Sequence, residues 1–125
     1  MKITDSKKIL VVDDDEDIVE IVSYILKEKG YQVMALTSGE AVLQTIQLFH
    51  PDLVLMDVML AGMDGRAICT NIKEDKNNVS LPVILISATH DLAKSLTQQG
   101  APNDFLAKPF DVDILLLKVE QQLAA

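Results

Sequence analysis

Cysteine is almost missing from this chain. Cys69 stands alone among 125 residues, which excludes an internal disulfide and any zinc site built on several thiolates, and fits a reducing compartment. A lone thiol of this kind is expected to act as a small buried hydrophobe. Histidine is scarce as well: His50, next to Pro51 at a helix end, reads as structural, and His90, with no second histidine at ligand spacing, reads as a solvated loop residue. Basic residues are outnumbered, 11 against 19 acidic, giving a net charge of −8 that argues against direct contact with nucleic acid. Long apolar runs are absent, none approaching the ~20 residues a bilayer-spanning helix needs. Met1 to Lys8 lacks the apolar centre of a signal peptide. The expectation is a cytoplasmic protein without membrane insertion. No internal repeat, low-complexity tract or linker interrupts the chain, so a single domain is expected over residues 1–125, its core spanning about residues 7–124.

Nearly half the residues are apolar, 49%, and they are not evenly spread. Continuous apolar runs alternate with segments of helical period, the pattern of a parallel sheet covered on both faces. After Ile9 to Val12, the residues Ile18, Ile21, Val22 and Ile25 recur at helical spacing, and Gly30 is placed to end that helix in a left-handed conformation. Tyr31 to Leu36 reads as a second strand. Thr37 and Ser38 are possible caps for a helix in which Val42, Ile46 and Phe49 share a face. Asp52 to Met56 reads as a central strand, followed by a turn-rich loop from Ala61 to Gly65 and a helix with Ile68 and Ile72 on its apolar side. Pro82 to Ile86 forms a fourth strand, a helix is expected from about Asp91 to Gln99, and Phe105 to Ala107 forms the fifth strand. Asp111 then caps a final helix carrying Val112, Leu115, Leu116, Val119 and Leu123. Five strands and five helices in alternation, joined by right-handed crossovers, suit a flavodoxin-like α/β sandwich with strand order 2-1-3-4-5.

Four of the apolar runs end on groups able to handle phosphate. These are Asp13-Asp14-Asp15, Asp57, Ser87 and Lys108. In an open parallel sheet the carboxyl ends of the strands lie along one edge, where ligands bind, and the order 2-1-3-4-5 sets the first and third strands side by side. Asp13, Asp14 and Asp57 would then crowd together. Crowded carboxylates repel one another unless they take up protons or a hard cation, and Mg2+, content with one or two carboxylates plus water and phosphate oxygen, suits this set better than Ca2+. A phosphoryl group at Asp57 would find the metal, the Ser87 hydroxyl and the Lys108 ammonium, which is sufficient for a carboxylate to accept phosphate.

At these positions the sequence resembles the receiver domain of two-component response regulators, the CheY-like family, over essentially its whole length. The residues carrying the resemblance are Val12-Asp13-Asp14, Asp57-Val58-Met59-Leu60 with Gly62-Met63-Asp64-Gly65, Ser87-Ala88, and Lys108-Pro109-Phe110. It implies that Asp57 is the phosphoacceptor and that Asp13, Asp14, Asp57 and the backbone carbonyl of Met59 hold Mg2+. It further implies that Ser87 and Lys108 sense the phosphate, that Phe105 is the aromatic switch residue, and that the Lys108-Pro109 bond is cis. The expected partners are a histidine kinase or histidine phosphotransfer protein and a downstream protein that reads the face made by the fourth helix, fifth strand and last helix. The protein would be a monomer or a phosphorylation-dependent dimer, acting as a single-domain regulator or a phosphorelay intermediate. It would be a phosphoacceptor with self-catalysed phosphorylation and dephosphorylation, not an enzyme.

Some residues depart from the family pattern. Ala61 stands where proline is usual, which loosens the loop after Asp57, while the stretch from Ser87 to Gly100 is shorter and Gly100 to Asp104 longer, both on the output side. The resemblance implies that Met59 and Thr89 occupy positions that tune phosphate loss in that family. Two other functions fit parts of the sequence. Asp13-Asp14-Asp15 satisfies the D-x-D core of haloacid-dehalogenase-like phosphatases, with Asp13 as nucleophile, although Asp17 stands where that motif wants Thr or Val. A phosphate-independent interaction module could share the fold, but such modules can lose acidic-pocket residues, and none is missing.

Overall fold

The computed structural model describes residues 6–88 and 100–124. The helix expected over about 91–99, together with Thr89 and His90, lies outside those residues. In chain order the elements are β1 (Lys8–Val12), α1 (Glu16–Glu28), β2 (Gln32–Leu36), α2 (Val42–Phe49), β3 (Leu53–Asp57), β4 (Met59–Leu60), β5 (Met63–Asp64), α3 (Gly65–Glu74), β6 (Val83–Ser87), β7 (Asp104–Ala107) and α4 (Val112–Ala124). Five strands form one parallel sheet in the order β2-β1-β3-β6-β7. This is the expected 2-1-3-4-5 winding.

Alternation along each strand divides the core in two. Leu10 and Val12 of β1 face a cluster completed by Val42 and Ile46 of α2 and by Ile68, Cys69 and Ile72 of α3. Ile9 and Val11 turn the other way, onto Val22 and Leu26 of α1 and Leu115 and Val119 of α4. Because β3 and β6 are covered on both faces, every one of their residues is buried, which explains why their sequences carry no polar alternation. Cys69 is part of this core, and burial pushes its thiol up to about 11, so the group stays protonated and inert.

Local chemistry accounts for the helix ends. Asp15 caps α1 by accepting from the backbone N–H groups of Asp17 and Ile18, with Glu16 and Asp17 in the positively polarised first turn. At the other end Gly30 takes φ +93° while its N–H donates to Lys27 O and that of Tyr31 to Leu26 O, closing the helix as a Schellman turn. Asp111 likewise accepts from Asp113 and Ile114 at the start of α4. Among the described residues no helix is long and apolar enough to cross a membrane.

Four details differ from the sequence-based expectation. The buried face of α1 is Val19, Val22, Ser23 and Leu26, one residue on from the anticipated stripe, so that Ile21 is exposed. Ser38 caps a turn, not α2: its hydroxyl accepts from Glu40 N–H, and the helix begins only at Val42 with no side-chain cap. Val42 and Ile46 are buried as expected, whereas Phe49 is half-buried and its ring lies 5.6 Å from the Lys8 ammonium. The loop after Asp57 contains a short antiparallel pair, β4 with β5.

Leu115 and Leu117 lie two residues apart on α4, one fully buried and one 53% exposed. Leu115→Ala should lower the free energy of urea unfolding by ~2–5 kcal/mol, as expected for a large-to-small change in a packed core. Leu117→Ala should stay within about 0.5 kcal/mol of the parent, and equal losses at both positions would contradict the placement of α4.

Candidate functional site

The winding order brings four strand ends to one edge. Asp13 follows β1, Asp57 ends β3, Ser87 ends β6 and Lys108 follows β7. Register fixes their spacing: Val12 pairs with Met56, Asp57 with Ile86, and Ser87 with Ala107. The N–H of Lys108 donates to Ser87 O at 2.8 Å and that of Val58 to Ile86 O at 2.9 Å, so the three strands stay tied past their last residues.

The side chains meet as the sequence predicts. Lys108 Nζ donates to Asp13 Oδ2 at 3.0 Å and to Asp57 Oδ2 at 3.1 Å. Burial disfavours the ammonium, but the hydrogen bonds and charges of Asp13 and Asp57 outweigh it and hold its pKa above the ordinary lysine value. Asp13 Oδ1 also accepts from Asp15 N–H at 2.9 Å, which orients the buried carboxylate. Asp14 completes the group from the exposed side, and one carboxylate oxygen from each of Asp13, Asp14 and Asp57 lies within 4.8 Å of the others. Ser87 is fully buried beside them, whereas Phe105, further back on β7, is half-buried against the core cluster under α2 and α3.

Among the described residues three carboxylates face one ammonium, so the hollow keeps a surplus of negative charge. Oxygen donors at this separation, two buried and one open to solvent, fit a hard divalent cation that retains part of its water shell. They do not fit a zinc site: among the described residues neither Cys69 nor His50 belongs to the cluster.

Gly65 contributes in a way the sequence motif did not reveal. A Cβ built there would stand 2.2 Å from the carbonyl oxygen of Asp57, and the Gly65 N–H donates to Val58 O at 2.8 Å. Only glycine permits that contact, and the first peptide of α3 is thereby clamped to the strand carrying Asp57. The clue was its place directly after Asp64, whose side chain caps α3 by accepting from Arg66 N–H. The Lys108-Pro109 peptide is cis, as the resemblance implied, and Met59, 71% exposed, has its N–H directed to Asp57 Oδ1 at 3.4 Å.

Comparison with known proteins gives a consistent result. Residues 9–120 match the model of the response regulator receiver domain. By sequence the chain is similar to the alkaline phosphatase synthesis transcriptional regulatory protein PhoP of Bacillus subtilis, 36% identical over 84% of this chain and 43% of that protein. It is also similar to the transcriptional regulatory protein YbdJ of the same organism, 40% identical over 93% of this chain and 50% of that one. The chain thus spans about half the length of these relatives. Among solved structures, the signal receiver domain of a signal transduction histidine kinase from Syntrophus aciditrophicus superposes with a TM-score of 0.86 at 31% identity, covering 95% of this chain and 91% of that one.

The raised pKa of Lys108 has a consequence for stability. Its ion pairs contribute fully below the unfolded lysine value, ~10.4, and are lost as pH rises through the higher folded value. In the presence of a chelator, the difference in urea midpoint between the parent and Lys108→Met should therefore narrow from pH ~9 to ~11. Taking the difference removes the parallel contribution of Tyr31, which burial and then Glu120 also shift upward. A gap that stays constant over this range would contradict the pairing.

Proposed function

The chain belongs to the response regulator receiver family, and from that premise we propose that it accepts a phosphoryl group on Asp57 and uses it to change partner binding. The observation that carries this reading is the Lys108 ammonium held between Asp13 and Asp57, with Asp14 alongside, at the carboxyl edge of the sheet. Asp13, Asp14, Asp57 and the Met59 carbonyl would hold Mg2+, whose charge offsets that of the incoming phosphoryl oxygens. A carboxylate oxygen of Asp57 attacks the phosphorus of a phosphohistidine on a kinase or phosphotransfer protein. The O–P bond forms as the P–N bond breaks, and the electron pair stays on the imidazole, which then takes up a proton. Lys108 already reaches Asp57, so it can pass to a phosphoryl oxygen with little movement, and Ser87 donates its hydroxyl to another.

The switch follows from how Ser87 is attached. Drawing its hydroxyl toward phosphate pulls on the strand end that is bonded to Lys108 and paired with Ala107, and so on β7, which carries Phe105. Phe105 is half-buried against the core, and in this reading its ring exchanges between inward and outward packing. Phosphate shifts that exchange because it contacts Ser87 and Lys108 differently in the two states. The surface of β7 and α4, with the residues that precede β7, would then be read by a downstream protein. We take the chain as one receiver domain that either binds a target or passes phosphate to a further histidine.

A phosphatase using Asp13 and Asp15 is less well supported. Asp15 is exposed and occupied as the cap of α1, accepting from two backbone N–H groups, so it is not free to act as an acid toward a group at Asp13.

Incubation with acetyl phosphate or phosphoramidate and Mg2+ should add one labile phosphoryl group, detected by intact-protein mass spectrometry. Asp57→Asn and the addition of a chelator should each abolish it, whereas retention of phosphate in Asp57→Asn would overturn the assignment. Met59, exposed and apolar at the rim, should hinder the water that removes phosphate. Loss of phosphate from Met59→Asn should be faster, by about tenfold for a barrier lowered by ~1.4 kcal/mol, and an unchanged lifetime would count against that role.

A further inference from the structure

The charges of this chain are unevenly placed. Of 11 basic and 19 acidic side chains, only Glu40 falls between Tyr31 and Pro51, the stretch that builds β2 and α2. That stretch is also largely on the surface. Leu43, Gln44, Gln47 and Leu48 form the outward side of α2, all exposed and none charged, with Leu48 at 76%. Met34 is exposed on the same face of β2 as Leu36, which packs against the cluster holding Val42 and Ile46 of α2. Among the described residues β2 is an edge strand, paired only with β1. Gln32 N–H donates to Lys7 O and Leu36 O accepts from Asp13 N–H, so residues 32, 34 and 36 turn their main chain toward β1. The N–H and C=O groups of Val33 and Ala35 are left along the outer edge, in a strand without the charge, proline or bulge that ordinarily blunts such an edge.

We propose that the β2/α2 surface is where a second copy of this chain docks, in an isologous dimer that needs no phosphate. The charge distribution selects the occupant. A basic partner would be drawn to the acidic surfaces elsewhere and would gain nothing at a neutral one. An acidic partner is repelled everywhere except at a neutral surface, and two copies at −8 each are in that position. A neutral apolar patch is moreover complementary to itself, as two-fold symmetry requires, and strand edges pair antiparallel across such an axis. The contact is small, resting on one short helix and one short edge, so the dimer is weak and concentration-dependent. The proposal stands independently of the phosphoacceptor reading, since neither Met34 nor Leu48 belongs to the group formed by Asp13, Asp14, Asp57 and Lys108 and its test uses unphosphorylated protein.

Light scattering or sedimentation equilibrium on the full chain should show the mean mass rising with concentration toward two copies. The association should tighten as salt is raised from ~0.1 M to ~1 M, because the Debye length falls from ~10 Å to ~3 Å and screens the repulsion between copies. Met34→Glu and Leu48→Glu, both at exposed positions and checked for folding by circular dichroism, should each weaken dimerisation by about tenfold or more, since every substitution sets two like charges across the axis. Leu117→Glu, on the exposed side of α4, should leave it unchanged. A monomer at every concentration and salt would overturn the proposal and leave the surface to a different protein. So would a dimer that ignores Met34→Glu and Leu48→Glu, or one abolished by Leu117→Glu.

Discussion

Like charge brought together without enough opposite charge is the constraint on which the rest of this structure turns. Parallel strands must all end on the same side, so a chain that closes β1 and β3 with aspartate delivers carboxylates to one place whether or not they repel. Lys108 relieves part of that repulsion and is placed to do so by the register of β6 and β7. The charge left over after that pairing is negative, and it favours a hard cation. Stability and chemistry draw on the same charges here.

The contribution of each residue is decided by its neighbours across the sheet more than by its neighbours in sequence. Asp13, Asp57 and Lys108 are separated by tens of residues, yet their side chains lie within hydrogen-bonding distance. Asp15, adjacent to the cluster in sequence, turns instead to the backbone of α1 and is absorbed as a cap. Proximity along the chain was therefore a poor guide to membership of the site, and position at a strand end a good one.

The same distinction explains what could be read from the residues alone. Strands and site were legible because apolar runs bounded by chemistry-bearing residues leave few registers, and the resemblance of those residues to receiver domains was dense. The burial of α1 was not, because Ile18, Val19, Ile21, Val22, Ile25 and Leu26 offer two overlapping stripes of helical period. Only contact with the sheet chooses between them, and it buries Val19 and Leu26 while leaving Ile21 in water. Thr37 and Ser38 misled for a different reason: a hydroxyl that can cap a helix can equally close a turn, and Ser38 does the latter. The pair β4 and β5 is two residues per strand, too short for any period to register.

One consequence of Gly65 concerns which half of the molecule is able to transmit anything. With backbone packed on backbone at the carbonyl of Asp57, and a main-chain bond from Gly65 to Val58, the start of α3 is fixed to the end of β3. Displacing α3 from β3 would break those main-chain contacts, whereas the half-buried ring of Phe105 on β7 is held by side-chain packing. Under the proposed phosphoacceptor reading, a change begun at Asp57 would thus be steered toward the last strand and helix, by the absence of one methyl group.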